Sequence, residues 1–492
     1  MAVDLELRVS NDERVIPVVR SFVFNAFAQS SLEKNLHERL AKLVVLSVGD
    51  AVKHAYGSGE EGSIKVGIKE SHGKLEITVR DYGMPQDITV MESNLHPADN
   101  KGARLFGISC KKIADEIHWT GYGREGKALC ISKWLHNTDI TKTASEGALK
   151  SFGTDSPAAP AQEYTIRRMV TGDGIQVSQL IYKAYGGTYF NADVYYPERI
   201  EALNAKGTNL SFVAIAENGK VVGHYALERN VDGPVAEGGE AVVDPSHRGR
   251  KLLERMKETA LKEAGRIGLV GVYADTVTVH PYTQKSNVHF GAKLACANLG
   301  IAPRNEHFFG LAEDQPQRVS CLLYYLHFGG PVQRKVCMVP DRHKPFMEEI
   351  YNNLGFPLEF GREKAPEGRG NYSVNVDAGA GKAVVRIERV GEDTVQAIRH
   401  TRGELIEHSH VEVVYADLPL ADPATPFAAE ALEEYGFSFA GIAPHFSPAG
   451  DVLRLLYLTE PLKREHIVTH EEFAGKLVEY VLSEQERVRR KI

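Results

Sequence analysis

The sequence has 492 residues, 43% of them hydrophobic and 25% charged, which is the ordinary composition of a soluble globular protein. Its length suggests roughly three domains. Its net charge of −7 argues against general affinity for nucleic acid or anionic membranes, so neither is expected as a partner.

The cysteines and the termini set further limits. The five cysteines are scattered and form no C-x-x-C pair, so we predict reduced thiols and no metal site. No apolar run approaches the length of about 18 residues that a membrane span needs. The acidic start MAVDLELRVSNDER is unlike a signal peptide, so the expected location is cytoplasmic.

The first predicted domain covers residues 1–138 and mixes strands with amphipathic helices. After a strand at DLELRVS, leucines at helical spacing predict a long helix that begins near Ser31 and ends at Gly57. Two strands, GSIKVGIKE and GKLEITVRDYG, follow on either side of a turn. We then predict a helix over LFGISCKKIADEIHW and a strand at KALCISKWL.

Three segments of this domain, SVGDAVKHAY, VRDYGMP and the stretch that begins GARLFG, resemble the anti-sigma-factor kinase branch of the GHKL ATPases. The resemblance implies an α/β sandwich that binds ATP and Mg²⁺. The residues it assigns to nucleotide binding are Asp50, His54, Asp81, Gly83, Gly102 and Arg104.

One position departs from the catalytic pattern of that family. Leu46 stands where the family carries the glutamate that activates the nucleophile, and an apolar side chain cannot act as a base. We therefore expect neither kinase nor ATPase activity. Nucleotide binding without turnover, binding of a protein partner, and homodimerisation remain open for this domain.

A linker over residues 139–162 is predicted because small residues, Pro and Gly dominate and periodicity is lost. The second predicted domain, residues 163–310, contains two strands joined by the hairpin signal Asn218-Gly219. A strand at GGEAVVDP, a helix at LLERMKETALKEAGRIG and a strand at LVGVYADTVTV follow. This order predicts an α+β fold with a mostly antiparallel sheet.

The third predicted domain, residues 311–492, is also α+β. It includes a hairpin at VNVDAGAGKAVVRIE, a helix at EDTVQAIRHTRGELIEHS and strands at VEVVYADLPL and DVLRLLYLT. The phrase EEYGFSFAGIAP repeats the pattern of NVHFGAKLACANLGIAP in the second domain. We interpret the third domain as a degenerate copy of the second.

A basic turn, VVDPSHRGRKLLERM, separates a strand from a helix in the second domain. Gly249 lets a ligand approach the backbone closely, and the free N–H groups at a helix start suit a pyrophosphate. Arg248, Arg250 and Lys251 add positive charge. The stretch alone also fits a solvated basic helix start, so both interpretations stay open at this point.

The surroundings of the turn resemble the GNAT N-acetyltransferase superfamily from Glu163 to about Pro303. That family carries R-G-x-G-x-G/A in this turn and binds the pyrophosphate of acetyl-CoA with its amides. Lys251 stands at the second glycine position and Leu253 at the last small-residue position. The residues that the resemblance assigns to acetyl-CoA are Val242, Val243, Arg248, Gly249, Arg250, Lys251, Leu252, Leu253, Gln284 and Asn287.

Acetyl transfer to an amine needs a base for the amine and an acid for the leaving thiolate. By resemblance Glu240 is the candidate base, although a surface carboxylate fits the same sequence. Asn287 stands where the family's acidic tyrosine is usual, so Tyr282 becomes the candidate acid, with Tyr273 as a substitute.

Two functions follow from the sequence. The first is an N-acetyltransferase, regulated by the N-terminal domain, that acts on a small-molecule or protein amine. The second is a non-catalytic regulator or sensor that binds coenzyme A or another ligand without turnover.

Overall fold

The computed structural model describes most of the chain. The described residues are 3–57, 59–71, 73–83, 91, 95, 104–106, 108–110, 113–122, 126–135, 139–143, 158–186, 189, 191–304, 315–377, 380–409 and 411–491. They fall into two compact units: Met1–Asn137 with Gly403–His410, and Thr138–Arg402 with Val411–Ile492. Most of the predicted linker lies outside the described residues.

The N-terminal unit is a five-stranded sheet with two long helices. Its elements are β1 (Asp4–Ser10), α1 (Ile16–Gln29), α2 (Lys34–His54), β2 (Ser63–Ser71), β3 (Lys74–Asp81), β4 (Arg104–Leu105), β5 (Ile108–Ser109), β6 (Glu116–Gly121) and β7 (Lys127–Trp134). The sheet order is β1-β2-β3-β7-β6, and every pairing in it is antiparallel. Alternate residues of β2 and β3 are buried, which is the burial pattern of strands that cover a core with one face.

The helix predicted over residues 105–119 is wrong. Its described residues form the short hairpin β4–β5 and then β6. In β6 the buried Ile117 lies between the exposed Glu116 and His118, so the apolar pattern there has the period of a strand. The tertiary contacts of β6 with β7 outweigh the helical spacing that the longer segment suggests.

The first half of the large unit begins with a short helix and contains seven strands. Its elements are α3 (Ile140–Thr143), β8 (Tyr164–Arg168), α4 (Gly174–Tyr185), α5 (Pro197–Lys206), β9 (Asn209–Ala216), β10 (Val221–Glu228), β11 (Val235–Val243), α6 (Leu252–Arg266), β12 (Gly271–Val277), α7 (Tyr282–His289), β13 (Lys293–Ala302) and β14 (Val319–His327). The hairpin predicted at Asn218-Gly219 is confirmed, because β9 and β10 pair antiparallel around Gly219, whose φ is +79°.

The second half of the large unit continues the same sheet. Its elements are β15 (Lys335–Cys337), α8 (Lys344–Leu354), β16 (Leu358–Phe360), β17 (Asn371–Asp377), β18 (Lys382–Arg389), α9 (Thr394–Ser409), β19 (Val413–Pro419), α10 (Thr425–Glu433), β20 (Ser438–Ser447), β21 (Gly450–Leu458) and α11 (Glu472–Arg489). The strand order across both halves is β17-β18-β19-β21-β20-β13-β14-β12-β11-β10-β9-β8.

The two halves share one pattern of strand pairing. In the first half β10/β11 is antiparallel, β11/β12 parallel, and β12/β14 and β13/β14 antiparallel. In the second half β17/β18, β18/β19, β19/β21 and β20/β21 repeat these directions in the same order. The strand β14, which no sequence pattern singled out, lies between β12 and β13, so the first half extends past residue 310.

The halves meet where β13 pairs with β20 through Cys296 and Gly441. A side chain at Gly441 would lie 2.6 Å from the Ala295 carbonyl oxygen, so only glycine allows this approach. Beside it, the guanidinium of Arg454 donates to both Asp417 carboxylate oxygens, at 2.7 and 2.8 Å, and to Asn298 Oδ1 at 3.0 Å. All three side chains are buried.

Among the described residues, no helix is both long and apolar enough to cross a membrane.

Replacing Arg454 tests the importance of this junction. Arg454→Ala leaves the buried Asp417 carboxylate without its cation, so we expect the free energy of unfolding to fall by about 3–5 kcal/mol. Urea denaturation followed by circular dichroism measures it. The matched control is Arg334→Ala, which removes an exposed pair with Glu359 and should cost less than about 1 kcal/mol. Equal losses for the two variants would contradict the role of Arg454.

Candidate functional site

A cleft opens where two parallel strands of the sheet separate. β11 and β12 pair through only three residues on each strand, ending at Glu237 and Tyr273. β11 continues to Val243, and beyond Glu237 the edge that faced β12 is no longer paired with that strand. Backbone groups along this free edge are therefore available to a ligand.

Glu240 lies at a bulge on β11, three residues past the last pair with β12. The register with β10 shifts between the pairs Ala226–Gly239 and His224–Val242, so β11 carries an extra residue there. Glu240 takes a φ of +50°, which is rare for a residue with a side chain. A bulge of this kind redirects a side chain, and here it directs a carboxylate out of the regular alternation.

The surroundings of Glu240 are polar but buried. Only 3% of Glu240 is exposed. The Asn191 amide donates to its Oε1 at 3.3 Å, its own amide donates to the Tyr189 hydroxyl at 3.1 Å, and its carbonyl oxygen lies 3.0 Å from His224 Nδ1. Burial, with the nearby acidic groups, raises the pKa of Glu240 to about 7, which is the range of an effective general base.

The turn after β11 presents a run of free amides. Gly249 has a φ of +75°, with open space where a side chain would project, and Lys251 has a φ of +55° immediately before α6. Within the described part of the chain, no group accepts a hydrogen bond from the amides of residues 249–253. Together with the positive end of the helix dipole, these amides form a binding site for an anion.

The basic side chains of the turn divide into two groups. Arg250 donates to the Pro160 carbonyl oxygen at 2.7 Å, to the Tyr164 hydroxyl at 2.6 Å and to the Ala159 carbonyl oxygen. The guanidinium of Arg250 therefore holds the start of β8 against the turn, and its predicted contact with the cofactor stays a prediction for its backbone amide alone. Arg248 and Lys251 are exposed and remain candidates for a phosphate group.

The apolar cofactor candidates offer backbone rather than side chains. Val242 packs with α4, and Leu252 is buried against the sheet. Val243 and Leu253 pack partly against the same core as Leu252. Contacts with a cofactor at these four positions would use their amides and carbonyl groups.

The three candidates on α7 have different environments. Gln284 is fully buried and bonds to the backbone of Val277, Val468 and His470, so its predicted contact with the cofactor is corrected to a structural role. Asn287 is half-buried and donates to the Thr283 carbonyl oxygen. Tyr282 is 62% exposed, and no contact joins it to Glu240 among the described residues.

Five residues of the cleft were missed in the sequence. They are Tyr185, Tyr189, Asn191, Glu228 and Glu237. The Tyr185 hydroxyl donates to the Ala241 carbonyl oxygen at 3.1 Å, and Tyr189 and Asn191 contact Glu240. For Tyr189 and Asn191 the only signal was the polar, tyrosine-rich stretch after α4, which no spacing rule links to β11, and no motif marked Tyr185, Glu228 or Glu237.

The nucleotide-site candidates of the N-terminal unit are not arranged as the resemblance implies. Asp81 is buried and pairs with Lys127 Nζ at 3.0 Å, so an adenine amino group would have to displace a cation. A side chain at Gly83 would overlap the Ala55 carbonyl oxygen, which gives this glycine a packing role. The adenine contact of Asp81 stays a prediction.

The other candidates of this unit give less information. Asp50 is half-buried and His54 is exposed, both on α2. Gly102 lies outside the described residues, and only the backbone of Arg104, in β4, is described.

Comparison with known proteins identifies the domain that contains the cleft. Residues 176–290 match the Acetyltransferase (GNAT) family model, which confirms the predicted GNAT domain over that stretch. No curated protein matches the chain. The family match does not extend to the N-terminal unit or to the second half of the large sheet.

Solved acetyltransferases are also similar to part of the chain. An N-acetyltransferase from Staphylococcus aureus Mu50 shares 19% identity, covers 34% of this chain and 98% of its own, and gives a TM-score of 0.28. The structure of yncA, a putative acetyltransferase from Salmonella typhimurium with its cofactor acetyl-CoA, shares 17% identity, covers 36% of this chain and 99% of its own, and gives a TM-score of 0.29. The ribosomal-protein-S18-alanine N-acetyltransferase from Escherichia coli shares 16% identity, covers 34% of this chain and 94% of its own, and gives a TM-score of 0.27.

Replacing Arg250 tests its structural role. Arg250→Ala removes charged donors from two backbone carbonyls and the Tyr164 hydroxyl, so we expect a loss of about 1.5–3 kcal/mol in unfolding free energy. Limited proteolysis should also cut faster near residues 158–164. The exposed neighbour Arg248, changed to Ala, is the control and should be neutral. A stability loss confined to Arg248→Ala would refute this assignment.

Proposed function

We propose that the domain binds acetyl-CoA in the cleft and transfers its acetyl group to an amine. The observation that carries the proposal is the run of unpartnered amides at residues 249–253, directly after the free edge of β11. The GNAT match over residues 176–290 covers this turn and the cleft. The amides can donate to an anionic pyrophosphate, and the strand edge offers donors and acceptors to a polar arm.

The residues have separable tasks in this proposal. The amides of Gly249 to Leu253 hold the pyrophosphate, and the unpaired edge of β11 beyond Glu237 holds the arm. Acetyl-CoA supplies the activated thioester when bound. Glu240 takes a proton from the acceptor amine, directly or through a water molecule, and its burial keeps that proton transfer away from bulk solvent.

The acid for the leaving thiolate is the weaker part of the set. Tyr282 is the hydroxyl assigned by resemblance, and its exposure at the start of α7 means that solvent can supply the proton instead. An expected consequence is that Tyr282→Phe lowers the rate less than Glu240→Gln does.

The second half of the sheet fits a copy of the same fold without a cofactor site. A cavity of about 380 Å³ lies by the divergence of β18 and β19. The turn that follows β18 is closed, because the Glu392 amide donates to Gly368 and the Gly391 amide donates to Thr394. Two acidic residues, Glu392 and Asp393, would repel a pyrophosphate there.

A non-catalytic sensor is the second candidate function. Lys251 and Leu253 occupy the positions where the family pattern carries small residues, and Lys251 has a strained φ of +55°. In this alternative the N-terminal unit binds a protein partner or a second copy of the chain. The Asp81–Lys127 pair favours that role over ATP binding for the unit.

Gly249 provides the direct test of cofactor binding. Gly249→Val forces a branched side chain into a left-handed φ and into the space beside the amides, so we expect coenzyme A affinity to fall at least tenfold. Isothermal titration calorimetry measures it. The matched control is Gly268→Val, since Gly268 also has a left-handed φ, +83°, with open space around it, but lies after α6. Unchanged affinity in Gly249→Val would refute the proposed cradle.

The pH dependence of the rate tests Glu240. A base must be deprotonated, and a carboxyl whose pKa is raised to about 7 loses activity as the pH falls through that value. We expect kcat/KM, corrected for the fraction of neutral amine, to fall tenfold per pH unit below about pH 7, whereas an ordinary glutamate would hold the corrected value down to about pH 5. Glu240→Gln should abolish this limb and lower the rate by about 10²–10⁴. A limb that persists in Glu240→Gln belongs to another group.

A further inference from the structure

Three glutamates surround the cleft at the point where β11 and β12 separate. Glu228 is 5% exposed at the end of β10, Glu237 is half-buried, and Glu240 lies at the bulge. Glu228 Oε1 lies only 2.7 Å from the place where a side chain on Gly239 would begin, so its carboxylate reaches across to β11. Proton transfer needs only the carboxylate of Glu240, so Glu228 and Glu237 have no part in that step.

Among the described residues, no Lys or Arg forms an ion pair with these groups, because no Lys or Arg nitrogen lies within 4.0 Å of the three carboxylates. Among the same residues, only the more distant charge of Lys382 partly offsets the rise in the pKa of Glu237. The nearest imidazole, His224, is fully buried, and burial lowers its pKa to about 4, so it is neutral. Its Nδ1 lies 3.9 Å from Glu240 Oε2, and its Nε2 has no hydrogen-bond partner.

Burying carboxylates without counter-charges is unfavourable for the free protein. Burial, followed by repulsion from Glu240, raises the pKa of Glu228, and burial with repulsion from Asp275 and Glu228 raises that of Glu237. The neutral donors present are weak substitutes, since Asn230 Nδ2 lies 3.4 Å from Glu237 Oε2. Apolar side chains at these positions would stabilise the fold better than buried glutamates do. Binding of a ligand therefore explains the presence of the glutamates better than stability does.

The arrangement excludes one shared metal ion. Among the described residues, only His343, Glu433 and Glu484 bring three potential ligand atoms within 4.8 Å of one another. That group already contains Arg487, which donates to both glutamates. The carboxylate oxygens of Glu228, Glu237 and Glu240 are therefore too far apart to bind a single small cation together. They suit a ligand whose positive charges are spread along an aliphatic chain.

Aromatic rings complete the cleft. The Tyr189 hydroxyl accepts from the Glu240 amide, and the Tyr273 hydroxyl lies 3.5 Å from Glu237 Oε2. Tyr273 is buried and packs on Phe446 with ring centroids 4.5 Å apart. Tyrosine faces pack well against methylene groups and against ammonium ions.

We propose that the acceptor is a small aliphatic di- or polyamine, with one neutral nitrogen directed at Glu240 and its remaining ammonium groups bound by Glu228 and Glu237. This inference rests on the proposed acetyl transfer and names its substrate class. The neutral nitrogen forms an N–C bond with the acetyl carbon while the C–S bond breaks. One amine proton passes to Glu240, and the thiolate leaves with the electron pair.

The test compares amines that differ in charge number. Calorimetry on the full chain, saturated with coenzyme A, uses spermidine, 1,4-diaminobutane and n-butylamine, with MgCl₂ alone as a fourth titrant. We expect spermidine and diaminobutane to bind at least tenfold more tightly than n-butylamine, and acetylation with acetyl-CoA to follow that order. Equal binding of the three amines, or binding of Mg²⁺ in preference to them, would overturn the proposal.

A matched pair of variants locates the binding charge. Glu228→Gln keeps the shape of the side chain, should remove the preference for diamines at least tenfold, and should leave coenzyme A affinity unchanged. Glu258→Gln, on the exposed face of α6, is the control and should keep the preference. A preference retained in Glu228→Gln would assign the selectivity to other residues and contradict the proposal.

Thermal stability gives a readout that does not depend on turnover. A carboxyl whose pKa is raised in the folded state stabilises the fold less as the pH increases, so Glu228→Gln should melt a few degrees higher than the wild type at pH 8. Spermidine should raise the melting temperature of the wild type and not that of Glu228→Gln. The two proposals fail separately: absence of coenzyme A binding defeats acetyl transfer, whereas coenzyme A binding without a diamine preference defeats only the substrate class.

Discussion

The parting of β11 from β12 is the constraint on which the rest of the site depends. Parallel strands that separate after three pairs leave backbone groups unpaired in the middle of a sheet, where they would normally be satisfied by a neighbour. The bulge at Glu240 and the tyrosine hydroxyls satisfy some of them, and the others face the opening. The helix α6 begins only a few residues beyond, so the free amides of the turn and the free edge of the strand belong to one continuous surface.

Local signals in the sequence predicted the parts of the fold that local physics determines. The hairpin at Asn218-Gly219 and the turn at Gly249 each depend on residues that are neighbours in the sequence, and both glycines adopt a left-handed φ. The place of β14 between β12 and β13 depends on strands far away in the sequence, and no sequence pattern predicted it. The segment at residues 105–119 was predicted as a helix, but β6 forms there through its pairing with β7. The same limit applies to the cleft: Glu240 follows from its place on the strand, whereas Tyr189 and Glu228 reach it through tertiary contacts alone.

The two kinds of buried charge in the large unit have opposite effects. The Arg454 guanidinium satisfies Asp417 with two hydrogen bonds and holds the halves of the sheet together. The glutamates of the cleft have no guanidinium partner, and burial raises their pKa values above those of exposed carboxylates. A protein that buries carboxyl groups without ion-pair partners beside a strained bulge gives up stability at the position where it needs a polar, dry environment.

The single pairing of Cys296 with Gly441 has a consequence for how the large unit can be divided. β13 is buried along most of its length, and its outer edge is covered by the second half. Cutting the chain between the halves would turn an interior strand into an exposed apolar border with unsatisfied amides, which is the kind of surface that recruits another chain. The second half, even without a cofactor turn of its own, therefore covers a strand edge that the first half alone would expose.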